Sequence, residues 1–231
     1  MSDQNMNIEL LHGAGDLNSN DDITHAIIWL HGLGASSSDF PPVVPELDLS
    51  NAVAIRFIFP QAPNRPITIN GGMTMPGWYD IKGSDIADKQ DAEGMAASQA
   101  MLEKLIQAEI DKGVPSENII IAGFSQGGAV AYHTAVRSEH RLGGVLALST
   151  YLPFAEQVAE EQSGANKQTP ILAMHGSQDP VVSLALGKQS AETLIELGYS
   201  VEWREYPMQH QVVIEQIKHI GNWINQVFSK T

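Results

Sequence analysis

The sequence predicts an α/β domain whose central sheet is mostly parallel and carries helices on both faces. Short apolar runs rich in β-branched residues alternate with longer segments whose apolar residues recur at helical spacing. Such alternation is typical of a parallel sheet covered by helices. The length of 231 residues suits one domain spanning 1–231, and no long linker, internal repeat or low-complexity tract interrupts the pattern.

Each predicted element follows from this alternation. Strands are expected at residues 8–11, 26–30, 53–59, 119–123, 145–149, 171–175 and 201–206. Helices are expected at residues 38–45, 89–112, 126–138, 154–162, 184–197 and 212–228. Residues 60–84 form one long irregular segment, and loops of that length in a compact domain are usually functional or disordered. No large insertion separates the strands after residue 125, so no substantial lid domain is expected.

Composition excludes several classes of function. With 27 acidic and 13 basic residues, the chain has a net charge of −14 and repels nucleic acid and anionic membrane surfaces at long range. It has no cysteine, which excludes disulfides and thiol catalysis and fits a reducing compartment. No signal peptide is visible, and no apolar run approaches the length that spans a bilayer. A cytoplasmic location is therefore expected.

The most informative motif is the pentapeptide GFSQG at residues 123–127, directly after the apolar run 118–122. A G-x-S-x-G pattern between a buried strand and a helix is typical of a nucleophile elbow, a sharp turn that strains the serine backbone. The two glycines leave room for neighbouring backbone. Small residues follow, as suits a helix that lies close against the sheet. The motif predicts Ser125 as a nucleophile.

A serine hydroxyl is a poor nucleophile at neutral pH, so this motif requires a base and an acid that orients the base. In hydrolases with such an elbow the chain order is Ser, acid, His. Asp179 is the only aspartate after Ser125, and it follows an apolar strand. His210 lies in a loop, whereas His219 lies inside the last predicted helix, so His210 is the better base. Taken alone, Asp179 could belong to an ordinary Asp-Pro turn, and His210 could be a surface loop histidine.

An early loop, HGLG at residues 31–34, ends an apolar strand. Its His-Gly-x-Gly form is typical of a loop whose backbone N–H, with that of the residue after the serine, stabilises an oxyanion. The two donors would be Leu33 and Gln126. No second metal ligand stands at suitable spacing from His31. His31 is therefore expected to bond loop backbone, and neither a metal nor an organic cofactor is expected.

Five segments together resemble the phospholipase/carboxylesterase group of α/β-hydrolases, which includes acyl-protein thioesterases and small bacterial carboxylesterases. They are HGLG at 31–34, FPQAPNRP at 59–66, MPGWYD at 75–80, GFSQGG at 123–128 and HGSQDPVV at 175–182. The resemblance implies the α/β-hydrolase fold and a catalytic triad of Ser125, Asp179 and His210. It also implies Leu33 and Gln126 as oxyanion donors.

Two departures from the family pattern bear on the branch. Residues 35–39 read ASSSD, whereas the eukaryotic thioesterases usually continue with Asp after the glycine that precedes them. This difference favours the bacterial carboxylesterase branch. Near the base, the sequence MQHQ at 208–211 replaces the commoner Met-Gly-His.

The expected function is a serine hydrolase that cleaves carboxylic esters or thioesters of short to medium acyl chains. A lysophospholipid and an acylated protein are both candidate substrates. Met73, Met75, Trp78 and Val181 are predicted to line an apolar groove beside Leu33, although the methionines and Trp78 have packing of the loop onto the sheet as their alternative. A different class, a catalytically silent binding protein for acyl ligands, would share the fold. Transient membrane contact and a homodimer are left open.

Overall fold

The computed structural model describes residues 7–13, 22–83 and 90–230, which form nine strands and five α-helices. The strands are β1 (Ile8–His12), β2 (His25–Leu30), β3 (Ile55–Phe59), β4 (Asn64–Ile67), β5 (Met73–Pro76), β6 (Ile119–Phe124), β7 (Gly144–Leu148), β8 (Ile171–Gly176) and β9 (Val201–Tyr206). The helices are α1 (Ala92–Asp111), α2 (Gln126–Arg137), α3 (Val158–Glu161), α4 (Leu184–Glu196) and α5 (Ile214–Phe228).

Seven strands form one twisted sheet in the order β1-β3-β2-β6-β7-β8-β9. The edge strand β1 runs antiparallel to β3, and every other neighbouring pair is parallel. The predicted α/β-hydrolase fold with a mostly parallel sheet is confirmed, and the described residues contain no large lid domain. Because β2, β6 and β8 are parallel, their carboxyl ends lie along the same edge of the sheet, where the chain order places all three predicted site loops.

Each central strand divides its side chains between two hydrophobic clusters, one on each face of the sheet. In β2, Ala26, Ile28 and Leu30 belong to the first cluster, whereas Ile27 and Trp29 belong to the second. Successive side chains of a strand point to opposite faces, so a continuous apolar run is buried on both sides. Side chains from α1 to α4 complete the first cluster, and α5 completes the second.

The structure differs from the predicted elements at three places. Prolines 41, 42 and 45 lack a backbone N–H, so the segment predicted as a helix at 38–45 forms a 3₁₀ helix, Pro41–Leu47. The predicted helix 154–162 divides into a 3₁₀ turn, Ala155–Gln157, and α3. The segment 60–84 contains the antiparallel hairpin β4–β5, which the sequence analysis missed. The predicted first helical residue Lys89 lies outside the described residues.

Helix α5 packs closely on the 3₁₀ helix Pro41–Leu47. A Cβ on Gly221 would lie 1.6 Å from the carbonyl oxygen of Leu47, so only glycine permits this approach. The contact positions α5, which directly follows the loop that carries His210. Within the described part of the chain, no helix combines the length and apolar character needed to cross a bilayer.

Candidate active site

Ser125 is the single residue between β6 and α2. Its φ of 53° and ψ of −119° lie in a region that strains non-glycine residues, at a cost of order 1–3 kcal/mol. A Cβ on Gly123 would lie 2.3 Å from the carbonyl oxygen of Gly127, and one on Gly127 would lie 2.5 Å from that of Leu30. Both motif glycines therefore permit the close backbone approach that the sharp turn requires.

Strand β7 anchors the strained turn from the side. The Ser125 N–H donates to the carbonyl oxygen of Leu148 at 2.8 Å. The Thr150 hydroxyl donates to the carbonyl oxygen of Ser125 at 2.7 Å. With both backbone groups of Ser125 bonded, its side chain projects from a rigid point at the carboxyl edge of the sheet.

The structure brings Ser125, His210 and Asp179 into one hydrogen-bonded chain. The Oγ of Ser125 lies 2.9 Å from Nε2 of His210, and Nδ1 of His210 lies 2.7 Å from Oδ2 of Asp179. The Asp179 side chain is buried, whereas that of His210 is 16% exposed. The carboxylate therefore accepts from Nδ1, and Nε2 is left to take a proton from the serine.

The other carboxylate oxygen of Asp179 is held by its own turn. The N–H groups of Val181 and Val182 donate to Oδ1 at 2.8 and 3.0 Å. An aspartate that bonds backbone two and three residues on forms an Asx-type turn, which the Asp-Pro sequence favours. The Asp-Pro turn offered as an alternative is present, and it orients the carboxylate toward His210.

His175 is a site residue that the sequence analysis did not single out. Its Nε2 donates to the carbonyl oxygen of Val182 at 2.9 Å and lies 3.7 Å from Oδ2 of Asp179. Burial lowers the pKa of His175 below its ordinary value, although the carbonyl of Val182 and the Asp179 charge oppose that shift. A neutral His175 thus stabilises the turn that holds Asp179, because it bonds the carbonyl oxygen of Val182 at the end of that turn. In the sequence, only its position four residues before Asp179 could have indicated this role.

The loops after β8 and β9 are bonded directly to each other. The N–H of Ser177 donates to the carbonyl oxygen of Tyr206 at 2.8 Å, and that of Gln178 donates to Met208 at 3.1 Å. A Cβ on Gly176 would lie 2.4 Å from the carbonyl oxygen of Met208, so glycine is needed where the two loops meet. These contacts explain how Asp179 and His210, 31 residues apart, reach bonding distance.

The two predicted oxyanion donors come from different elements, Leu33 from the loop after β2 and Gln126 from the start of α2. Gln126 is the first residue of α2, so its N–H has no partner within the helix. Among the described residues, the N–H groups of Leu33 and Gln126 have no acceptor. Both residues line the cavity that contains Ser125. The amino end of α2 adds a partial positive charge at the same place.

A network of buried hydrogen bonds supports the predicted HGLG loop. The N–H of Ala62 donates to Nε2 of His31 at 3.1 Å, so Nδ1 carries the proton that is donated to the Gly32 carbonyl at 2.8 Å. The indole N–H of Trp78 donates to the carbonyl oxygen of His31 at 2.7 Å. Burial lowers the pKa of His31, which therefore acts as a neutral bridge between loops. This is the backbone bonding that the sequence analysis expected of His31.

The side chain of Gln126 reaches the 75–80 loop. Its Oε1 accepts from the Trp78 N–H at 2.8 Å, and its Nε2 donates to the Tyr79 carbonyl at 2.7 Å. The Ser98 hydroxyl of α1 donates to the Trp78 carbonyl. The loop beside the serine is thus fixed by the residue that follows the serine.

A cavity of about 470 Å³ surrounds Ser125, within the usual range of small-molecule pockets. Of the residues predicted to form an apolar groove, Leu33 and Val181 line this cavity. Met73 and Met75 do not line it, and Met73 is 64% exposed on the hairpin. Trp78 is completely buried beneath the loop, so its indole supports the site from below and does not face the cavity. For Trp78 the packing alternative describes its position.

Several cavity residues were not predicted from the sequence. Tyr79 adjoins Trp78 in the MPGWYD segment, and Tyr151 follows β7. Phe40 and Phe124 lie on the other side, with ring centroids 6.1 Å apart. Within the described ranges, no group of three or more His, Cys, Asp or Glu side chains is arranged to hold a metal ion.

Comparison with known proteins adds an independent observation. Residues 16–228 match the model of the phospholipase/carboxylesterase family. The chain belongs to this family. The segments that carried the resemblance surround the site in the structure, since the 59–66 segment bonds His31 and the 75–80 segment bonds Gln126.

The relatives include fungal proteins similar over most of their length. Acyl-protein thioesterase 1 of Gibberella zeae is 40% identical over 212 residues, which cover 88% of this chain and 90% of that protein. Acyl-protein thioesterase 1 of Saccharomyces cerevisiae is 36% identical over 211 residues, covering 88% and 92%.

Solved structures of similar proteins share the fold. Acyl-protein thioesterase 2 of Zea mays superposes with a TM-score of 0.82 at 26% identity, covering 96% of this chain and 99% of that one. SOBER1 of Arabidopsis thaliana superposes with a TM-score of 0.83 at 30% identity, covering 89% and 99%. Family membership and fold thus agree.

Proposed function

We propose that this protein is a serine hydrolase in which Ser125, His210 and Asp179 cleave carboxylic esters or thioesters. The observation that carries the proposal is the continuous chain of two hydrogen bonds, 2.9 Å from Ser125 to His210 and 2.7 Å from His210 to Asp179. Triads are recognised by this geometry and by the roles it permits, whatever the fold. Membership of the phospholipase/carboxylesterase family supports the same reaction class.

In the first step, the Ser125 Oγ attacks the substrate carbonyl carbon while Nε2 of His210 takes its proton. The carboxylate of Asp179 stabilises the imidazolium that forms. The negative charge that develops on the carbonyl oxygen is held by the N–H groups of Leu33 and Gln126, each worth about 3 kcal/mol when preorganised. His210 then protonates the leaving alcohol or thiol, the carbon–oxygen or carbon–sulfur bond breaks, and the acyl group stays on Ser125.

In the second step, His210 takes a proton from water, whose oxygen attacks the acyl carbon. The same two N–H groups hold the second oxyanion. His210 returns the proton to Oγ, the acyl–serine bond breaks, and the carboxylic acid leaves. Each atom that gains or loses a proton is supplied by the chain, water or the substrate.

Acyl groups attached to proteins or small molecules are the proposed substrates. Relatives named acyl-protein thioesterase, 36–40% identical, support thioesters of acylated proteins. The cavity walls are mainly apolar, which suits an acyl chain, and a lysophospholipid carries the same chain. Ile69 and Met73, exposed on and beside the β4–β5 hairpin, would favour transient contact with a membrane that presents such substrates. The homodimer and the cytoplasmic location stay predictions.

Replacing the nucleophile tests the proposal. Ser125→Ala is expected to lower kcat for p-nitrophenyl butyrate by at least about 10⁴-fold, because the oxyanion donors alone give little turnover. Ser177→Ala, an exposed serine in the loop after β8, is the matched control and should retain activity. A fluorophosphonate probe should label the wild type and not Ser125→Ala. Labelling of both proteins, or wild-type turnover by the variant, would refute the assignment and leave the binding-protein alternative.

A further inference from the structure

The cavity around Ser125 has two walls that belong to opposite faces of the sheet. One, the Tyr wall, is formed by Tyr79, Ile81, Tyr151 and Val182, all part of or packed against the first hydrophobic cluster. The other, the Phe wall, is formed by Phe40, Val43, Phe124 and Val212, all part of or packed against the second cluster. Ser125, directly after β6, lines the same cavity.

The reaction assigns one part of the substrate to each wall. His210 must lie next to the leaving atom in order to protonate it. The ring centroid of His210 is 4.8 Å from that of Phe124, so the base stands on the side of the Phe wall. The leaving group therefore extends along the Phe wall, and the acyl chain extends along the Tyr wall.

The Tyr wall contains a buried polar pair. The hydroxyls of Tyr79 and Tyr151 lie 2.9 Å apart, and both residues are almost completely buried. Two phenols carry two donor protons, and the bond between them uses one. The structure gives the second proton no acceptor among the residues that it describes. When a ligand displaces water from this wall, a donor left without an acceptor is costly, so a ligand atom that accepts from it is favoured.

Both phenols keep their protons at neutral pH. Burial raises the pKa of Tyr151 to about 12 and raises that of Tyr79 well above its ordinary value. Both residues line the cavity, so the pair is a neutral hydrogen-bonding group in its wall and not a negative charge.

We infer that the Tyr79–Tyr151 hydroxyl pair determines acyl specificity. It selects acyl chains that carry an oxygen atom at the position where the bound chain contacts the two hydroxyls. An ether, hydroxyl or keto oxygen at that point accepts the unpaired proton, whereas a methylene leaves it without a partner. Sites built around a buried hydrogen bond discriminate strongly against analogues that lack the group. This inference rests on the proposed function, since it concerns the acyl chain that Ser125 accepts.

An oxygen scan of one chain tests the inference. The probes are p-nitrophenyl octanoate and four analogues in which an ether oxygen replaces the methylene at carbon 4, 5, 6 or 7. All five have the same length, and these oxygens lie too far from the carbonyl to alter its reactivity much. One analogue is expected to be hydrolysed with a kcat/KM about ten-fold above that of its neighbours, which share its polarity.

Variants then locate the effect. Tyr79→Phe/Tyr151→Phe removes both hydroxyls and keeps both rings, so the maximum should disappear while octanoate is still hydrolysed. At least one of the single variants should keep the maximum, because the remaining phenol still has its proton. The matched control is Tyr199→Phe. Tyr199 belongs to the same cluster but lies outside the cavity, and its buried hydroxyl has no hydrogen-bond partner among the described residues. The control should retain the wild-type profile.

The outcomes separate the inference from the proposed function. A flat wild-type profile with ready hydrolysis of all five esters overturns the inference alone, as does a maximum that persists in the double variant. This wild-type comparison decides even if the double variant fails to fold. Failure of the wild type to hydrolyse any of the esters, together with absent fluorophosphonate labelling, refutes the hydrolase function and the inference with it.

Discussion

Gln126 and Trp78 are joined by a buried hydrogen bond of 2.8 Å from the Trp78 N–H to Oε1 of Gln126. A second bond runs from Nε2 of Gln126 to the Tyr79 carbonyl oxygen, so one amide side chain bonds two consecutive residues of the loop. Gln126 thus has two parts with separate tasks. Its backbone N–H is a proposed oxyanion donor, and its side chain bonds the loop that carries Tyr79 of the Tyr wall.

Gln126→Ala separates these two tasks, because alanine keeps the N–H and loses the amide. The loss leaves the Trp78 N–H and the Tyr79 carbonyl buried without partners, so the free energy of unfolding should fall by about 2–4 kcal/mol. The kcat/KM for p-nitrophenyl esters should fall at least about ten-fold as the loop shifts. Urea unfolding and steady-state kinetics measure the two effects. Gln189→Ala, on the exposed side of α4, is the matched control, and equal behaviour of the two variants would contradict the prediction.

Asp179→Asn tests the orientation of the base. The substituted amide can still accept from Val181 and Val182, but if its nitrogen faces His210 it no longer accepts from Nδ1. The imidazole then adopts the tautomer that carries its proton on Nε2, and kcat should fall by about 10³–10⁴-fold. Stopped-time assays of ester hydrolysis measure the loss, and circular dichroism verifies the fold. A change of less than ten-fold would show that Asp179 does not orient the base.

His133 on α2 predicts how stability depends on pH. Burial and the nearby Arg137 charge lower the pKa of His133 to about 3 in the folded protein, whereas an unfolded histidine titrates near 6.5. Between these values the unfolded chain binds one more proton. The contribution of His133 to the free energy of unfolding is therefore fully present above pH 6.5. It is lost as the pH falls toward 3, by up to about 1.4 kcal/mol per pH unit.

His133→Phe removes this titration and keeps a ring against Phe154, whose centroid lies 5.6 Å away. Between pH 7 and pH 5, the free energy of unfolding should fall by about 1–2 kcal/mol less in the variant than in the wild type. The other buried histidines titrate equally in both proteins and cancel in this difference. Urea unfolding at the two pH values measures it. Equal losses in both proteins would show that His133 does not titrate in this way.

The strands of this fold were predictable because each is a short apolar run whose two faces are both buried. All seven predicted sheet strands are present, and β9 has the predicted bounds of Val201–Tyr206. The hairpin β4–β5 was missed because its strands are short and polar or exposed, and each contains a proline. Its pairing depends on the loop contacts of Asp80 with Thr68, which no periodicity reveals.

The proximity of Ser125, His210 and Asp179 was predictable from motif and chain order alone. The cavity walls were not, because Tyr151 and Phe40 lie far apart in the sequence and reach the site only through the packing of different elements. Trp78 shows the limit most clearly. A large aromatic residue in a loop beside a site suggests substrate contact, but its burial and its bond to His31 depend on a neighbouring loop.

The two cavity walls rest on hydrophobic clusters that the sheet keeps apart. A substitution that reshapes one cluster is shielded from the other by the intervening strands. In related sequences, therefore, the range of accepted acyl chains and the range of accepted leaving groups can diverge independently. One scaffold can in this way give rise to enzymes that share a chain preference while acting on different carriers.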